Sequence, residues 1–361
     1  MAQAPKTAVD IVFGAMTLGK QGISSPSFLR FFNPNIQSGA EQARVHSLEE
    51  SAAILDVFQK YGHSEIDTAI VYGGGSSEEY LGQLHWQDRG IIMDTKFSPR
   101  TDPTKLGLGA DVVTTHSPDH LRRALTKSLQ SLKADTIDMW YLHAPDRSTP
   151  YEETLHEINN LHHAGLFRRF GISNYAAWEV AQICEICDRN GWIKPVVYQG
   201  VYNALHRAVE PELFPCLRKY GIAFYAFNPL AGGYLTSRYT REQLTSDTGI
   251  EEGSRFDPKR RQGKNYRNRY WNEKYFDALD ILRPVAKKHG LSEAEVALRW
   301  MTNHSLLKRQ YGDAIIIGAS SAAQLEENLI NLEKGPLPED VVRALDEGWE
   351  TVKGVCAKYF H

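Results

Sequence analysis

Cysteine is scarce in this chain: Cys184, Cys187, Cys216 and Cys356 are the four among 361 residues. That excludes a disulfide-stapled secreted scaffold and fits a reduced, cytoplasmic compartment. Cys184 and Cys187 form a C-x-x-C, but Ile183-Cys184-Glu185-Ile186-Cys187 has a helical period and no second cysteine or histidine pair completes a zinc site, so no metal is expected. Long apolar runs are lacking too. No stretch reaches the ~18 residues that a membrane-crossing helix requires, and Met1-Ala2-Gln3-Ala4-Pro5-Lys6 has none of the apolar character of a signal peptide. Charge of one sign is also lacking. The net charge is −3, so nothing asks for nucleic acid or an anionic membrane as partner. Finally, no G-x-G-x-x-G follows a strand candidate; Gly73-Gly74-Gly75 lacks that spacing and gives no dinucleotide fingerprint.

What is present is a regular alternation. Hydrophobic residues make up 42% and charged residues 24%, as in an ordinary globular protein. Strand candidates run over Asp10–Gly14, Ser64–Thr68, Gly90–Thr95, Thr136–Leu142, Phe167–Ile172, Val196–Gln199, Ile222–Ala226 and Ala314–Ile317. Helix candidates separate most of them. Leu48–Tyr61 has Ser47 as N-cap with Glu50 at capping-box spacing. In Ser117–Leu132, Leu121, Leu125, Leu129 and Leu132 share a face. Further helices are expected over Ser76–His85, Tyr151–His163, Ala176–Arg189, Pro211–Tyr220, Phe276–His289, Glu293–Asn303 and Ala322–Leu332. This predicts an α/β fold with a parallel sheet, and eight units favour closure into a (β/α)8 TIM barrel. Residues 1–361 are read as a single barrel domain. Two long loops interrupt it, Lys20–His46 after strand 1 and Thr236–Trp271 after strand 7, and both leave from the rim where such barrels do chemistry. The tail, about 335–361, is expected to add a helix near that rim, with Trp349 and Tyr359 as pocket residues.

Four ionisable side chains collect at three strand ends. Asp67 and Tyr72 lie in Glu65-Ile66-Asp67-Thr68-Ala69-Ile70-Val71-Tyr72, Lys96 ends Met93-Asp94-Thr95-Lys96, and His143 ends Met139-Trp140-Tyr141-Leu142-His143. A phenol titrates near pH ~10 and is a poor acid at neutrality. A nearby ammonium favours phenolate, so Lys96 is expected to lower the Tyr72 pKa, with Asp67 holding Lys96 in place. His143 is suited to hydrogen-bond a carbonyl oxygen beside Tyr72. Each residue alone is more often packing than catalysis; together they fit general acid catalysis on a carbonyl or alcohol.

The segments Glu65 to Tyr72, Tyr141-Leu142-His143-Ala144-Pro145-Asp146, Phe170 to Val180, Tyr198 to Ala204 and Phe227-Asn228-Pro229-Leu230-Ala231-Gly232-Gly233 resemble the aldo-keto reductase superfamily. Within it they are most similar to the aflatoxin-aldehyde reductase, or succinic semialdehyde reductase-like, branch. The resemblance runs from about Val12 to Leu332. It implies NADPH-dependent reduction of an aldehyde or ketone on a barrel that binds NADPH extended. By resemblance, Tyr72 is the proton donor, Lys96 and Asp67 support it, and His143 positions the carbonyl. Ser173, Asn174 and Gln199 would hold the nicotinamide carboxamide and Phe227 would stack on its ring. Asn228, Pro229, Leu230 and Gly232 would wrap the pyrophosphate. Gly318, Ser320, Ser321, Gln324 and Asn328 would form the adenosine 2′-phosphate site at a helix start, with Arg255 as a phosphate partner. Tyr266 and Arg269 would meet the substrate. A homodimer is a further expectation of the resemblance.

The chain departs from that pattern in places. The Lys20–His46 insertion is long and brings Phe28, Phe31 and Phe32 to the rim; Gly73-Gly74-Gly75 and Trp86 are expected to reshape the pocket. The insertion suggests a biosynthetic tailoring reductase. A rival reading is a cofactor-sensing interaction subunit with little turnover, as in the potassium-channel β subunits that resemble this superfamily.

Overall fold

The computed structural model describes residues 6–21, 42–100 and 113–361. Eight strands close into a parallel barrel in chain order: β1 (Asp10–Gly14), β2 (Glu65–Asp67), β3 (Ile92–Phe97), β4 (Ile137–Leu142), β5 (Phe167–Ser173), β6 (Val197–Val201), β7 (Ala223–Phe227) and β8 (Ala314–Ile317). β8 closes on β1 with Asp10 opposite Ala314 and Phe13 opposite Ile317. All strand C-termini therefore share one rim. The period-two alternation sorts the side chains. On β4, Met139 and Tyr141 join Val12, Val197, Tyr225 and Ile316 in one cluster, while Trp140 and Leu142 pack with the outer helices.

The helices are α1 (Leu48–Lys60), α2 (Ser76–Gln83), α3 (Pro118–Leu132), α4 (Tyr151–His163), α5 (Ala177–Asn190), α6 (Leu213–Tyr220), α7 (Arg261–Tyr270), α8 (Glu273–Lys288), α9 (Glu293–Asn303), α10 (Ala322–Glu333) and α11 (Glu339–Val352). Ser47 caps α1 as expected, accepting from Glu50 N at 3.1 Å. Cys184 and Cys187 are buried on α5, where burial pushes both thiols up to about 12. On α2, Glu78 is fully buried against the outer face of β3, where Thr95 Oγ1 donates to it at 2.6 Å.

Four expectations need correction. β3 extends to Phe97, beyond Thr95, because the Lys96 ammonium is neutralised inside the barrel instead of ending the strand at solvent. The stretch Thr236–Trp271 is not all loop: it contains α7, and together with its flanks it builds a second core, in which Tyr234, Phe256, Tyr270, Tyr275 and Phe276 are buried. Trp86 does not shape the pocket; its Nε1 donates to Leu132 O at 2.9 Å at the far end of α3. Trp349 packs into the second core, and the Tyr359 hydroxyl accepts from Ala177 N at 3.1 Å and donates to Glu212 at 2.9 Å. The ends of the first insertion are clasped, with Gly19 N donating to Val45 O at 3.0 Å. Phe28, Phe31 and Phe32 lie outside the described residues. Among the described residues, no helix is long and apolar enough to cross a membrane.

Candidate active site

Three adjacent strands deliver the ionisable group to the rim. Lys96, on β3, donates to both carboxylate oxygens of Asp67, on β2, at 2.6 Å and to Thr68 O at 2.5 Å. Its three protons are thus all directed, and both side chains are buried. Gln199, on β6, donates to Asp67 Oδ1 across the barrel at 2.5 Å. Tyr72 follows β2 and opens a turn in which Gly73, Gly74 and Gly75 have φ of 55°, 68° and 97°, values that suit glycine. The turn sets its ring over this pair: Lys96 Nζ is 4.9 Å from the ring centroid. His143, just past β4, meets the Tyr72 ring edge-on, with centroids 5.8 Å apart and an interplanar angle of 82°.

The protonation states follow from burial. The Tyr72 phenol is held well above its ordinary 10, first by burial and then by the charge of Asp67 and by Tyr266, with Arg255 opposing. This differs from the expectation that Lys96 lowers it. Lys96 grips the Asp67 carboxylate at 2.6 Å, and the Asp67 charge adds to burial in disfavouring the phenolate. Lys96 itself is lowered by burial, against the pull of Asp67. His143 is held well below 6.5 by burial, then by Lys96 and His361, and is a neutral imidazole whose Nδ1 finds no partner among the described residues.

Above this group opens a cavity of about 1020 Å³. Its walls include Asp67, Tyr72, His143, Ser173, Asn174, Gln199, Phe227, Asn228, Pro229, Leu230, Gly232, Arg255, Tyr266, Arg269, Gly318, Ser320, Gln324 and Asn328. Two expected residues stand off the walls. Lys96 lies behind Asp67, and Ser321 is the N-cap of α10, accepting from Gln324 N at 3.2 Å. Gln324 Oε1 in turn accepts from Ser320 N at 2.8 Å. The Arg255 guanidinium lies beside Gly318, so a cation and the α10 N-terminus meet at the end of β8. Asn174 and Asn228 adopt left-handed backbones with φ of 65° and 60°. The Asn174 amide donates to His143 O and to Ser173 Oγ, both at 2.9 Å. Tyr266 lies with its ring against Gly232 and donates to Asn228 Oδ1 at 3.1 Å, so it braces the 228–235 loop as well as facing the cavity.

Several wall residues were not foreseen. On α7, Arg261, Gln262 and Asn265 join the expected Tyr266 and Arg269 on one face, and all five line the cavity. The i, i+1, i+4, i+5, i+8 spacing was available in the sequence, but a polar segment with Gly263 inside it reads as loop. Gly263 has a packing reason: a Cβ there would lie 1.7 Å from Asp257 O. Arg44, Arg100 and Arg238 also reach the wall. So does His361, whose N–H donates to Asn174 O at 3.1 Å and whose carbonyl accepts from Arg147 at 2.7 Å. Among the described wall residues, Asp67 is the one acidic side chain and six are arginines, a lining that favours anions.

A sequence model described as the aldo/keto reductase family matches residues 10–350. The chain belongs to the aldo/keto reductase family. An aldo-keto reductase of Pseudocercospora fijiensis is 55% identical over 307 residues, covering 85% of this chain and all of the relative. The aldo-keto reductase pigE of Monascus ruber is 45% identical across 99% of both chains, and the human aflatoxin B1 aldehyde reductase member 2 is 44% identical over 89% of this chain and 87% of its own. Among solved structures, a glycerol dehydrogenase from Gluconobacter oxydans superposes with a TM-score of 0.67 over 94% of this chain and 90% of its own; at 23% identity this likeness speaks for the barrel fold. As an aldo-keto reductase, the protein is an oxidoreductase of carbonyl and alcohol groups that works with a nicotinamide cofactor.

Proposed function

We propose that this aldo-keto reductase reduces aldehydes or ketones to alcohols with NADPH, Tyr72 being the proton donor. The observation that carries the reading is a protonated phenol beside a neutral imidazole, both above a buried Lys96–Asp67 pair at the floor of the arginine-walled cavity. The residues fit the cofactor: glycine and left-handed backbone in the 228–233 stretch give amides close access, and Arg255 beside Gly318 and α10 forms an anion cradle. Bound there, NADPH supplies a hydride for the carbonyl carbon. Ser173, Asn174 and Gln199 suit its carboxamide and Phe227 its ring, while Arg255, Gln324 and Asn328 take the 2′-phosphate, which favours NADPH over NADH.

The chain's own part is proton handling and orientation. Tyr72 gives its proton to the carbonyl oxygen. The phenolate then left is stabilised by the Lys96 ammonium, which Asp67 keeps charged against burial. His143, neutral, donates a hydrogen bond to the same oxygen and fixes its approach. The relative named for an aldehyde substrate supports a carbonyl compound as substrate here, and the scarcity of cysteine supports a cytoplasmic setting. The test is NADPH or NADH oxidation with 4-nitrobenzaldehyde and succinic semialdehyde. Turnover with NADPH that falls about 100-fold or more in Tyr72→Phe supports the proposal. Tight NADPH binding with equal, negligible rates in both proteins refutes it and favours the cofactor-sensing reading.

A further inference from the structure

Below the reacting centre, the barrel holds a second layer of charge. Arg169, on β5, pairs with Glu65, on β2, at 2.8 Å and with Asp138, on β4. Tyr225, on β7, donates to Glu65 at 3.1 Å. Glu65, Asp138 and Arg169 are partly open to solvent. Asp94, on β3, is not: it is 0% exposed, and neither of its carboxylate oxygens has a hydrogen-bond partner among the described residues. Arg169 Nη2 stands 4.0 Å from Asp94 Oδ1, beyond a hydrogen bond, and is already engaged by Glu65 and Asp138. The Tyr141 hydroxyl is buried and without a partner among the described residues as well.

Strand register brings this acid to the Lys96–Asp67 pair. Asp94 is directly opposite Asp67 in the β2–β3 ladder, and neighbouring strands lie ~4.8 Å apart, so two buried carboxyl groups stand side by side. Lys96 is two residues on from Asp94 and shares its inner face. Its three protons go to Asp67 and to Thr68 O, which leaves none for Asp94. Two carboxyl groups that share a buried site do not both ionise, and the less supported one keeps its proton. Asp67 has Lys96 and the Gln199 amide; Asp94 has neither. Burial first, then the charge of Glu65, lifts the Asp94 carboxyl well above its ordinary 3.8 against the pull of Arg169, and Asp67 and Asp138 add to the lift. Resting on the reductase reading above, we infer that Asp94 is a positioning residue for the proton transfer, an acid whose proton keeps a second negative charge away from Lys96 and from the phenolate that Tyr72 becomes. Loss of that proton in alkaline solution sets a new anion beside Asp67 and opposes the same phenolate. A unit charge ~10 Å from a developing anion, at an effective dielectric of ~20, slows the step roughly tenfold.

The test follows NADPH turnover of 4-nitrobenzaldehyde from about pH 6 to about pH 10, in the protein with Asp94 and in Asp94→Asn. The Tyr72 phenol, held well above 10, does not titrate across that range. The infrared carbonyl stretch of protonated carboxyl groups is recorded beside it, in a Glu78→Gln background so that Glu78 does not contribute to the band. Asp94→Asn is expected to keep kcat within about threefold near pH 7 and to hold it toward alkaline pH, whereas with Asp94 in place kcat falls roughly tenfold as the band disappears. A pH profile that is the same with and without Asp94 overturns the inference, because a merely structural residue leaves the profile alone. So does a neutral-pH band that Asp94→Asn leaves intact. If Asp94→Asn does not fold, the Glu78→Gln protein decides by itself: kcat that falls with the band supports the role, and kcat that falls while the band persists overturns it. A protein that turns over no carbonyl compound strikes the reductase reading and the role with it, even where a band lost in Asp94→Asn shows the buried acid to be present.

Discussion

Replacing Glu78 by glutamine is expected to stabilise the protein in alkaline solution and to change little in acid. Glu78 is fully buried on α2, between the barrel and α3. Burial raises its carboxyl from the ordinary 4.5 to about 7, although the hydroxyls of Thr95 and Ser128 favour the charged form. A carboxyl whose folded pKa exceeds its unfolded value contributes stability below the unfolded pKa and loses it as pH rises through the folded one. The window is therefore about 4.5 to 7. At ~1.36 kcal/mol per pH unit the loss across it is roughly 3 kcal/mol. Glutamine keeps an oxygen for Thr95, which donates at 2.6 Å, and carries no charge to desolvate. Urea unfolding at about pH 5 and pH 8 measures the outcome: the variant gains roughly 2–3 kcal/mol on the native protein between the two. A difference that does not move with pH would show that Glu78 is ionised throughout in the folded state, and the argument from burial would fail.

Two more substitutions probe the site. Lys96→Met strands the buried Asp67 carboxylate, which Lys96 meets at 2.6 Å, and is expected to lower unfolding stability by roughly 3–5 kcal/mol as well as activity; a loss under about 1 kcal/mol would mean that Asp67 takes up a proton in the folded protein at little cost. Gly263→Ala places a Cβ where Asp257 O stands 1.7 Å away, so α7 must shift; kcat/KM is expected to fall about 10- to 100-fold with the barrel still folded by circular dichroism, and unchanged kinetics would show that the α7 face does not position the substrate.

The strands were legible because short apolar runs between turn residues leave little choice, and the rim residues were legible because they stand at the ends of those runs. β3 was misplaced by two residues since a lysine looks like a strand end; only the tertiary pairing with Asp67 shows that it is buried. α8 begins at Glu273, ahead of Phe276, because Asn272 accepts from Tyr275 N and caps it, a weak polar signal among aromatics. α7 was hidden for a different reason: its apolar partners lie elsewhere in the chain, so its own sequence shows no hydrophobic stripe. The direction of the Tyr72 pKa was also out of reach. Charge neighbours can be read from strand order, but the burial that outweighs them is a property of the closed cavity.

The α7 face that lines the cavity rests on an aromatic interior, while Tyr72, Lys96 and His143 are seated at the barrel rim. On the reductase reading, variation at 261, 265 and 269 is expected to change substrate preference at little cost to the scaffold, whereas Tyr266 braces the 228–235 loop and has to stay. A gene library confined to those three positions would leave both cores untouched.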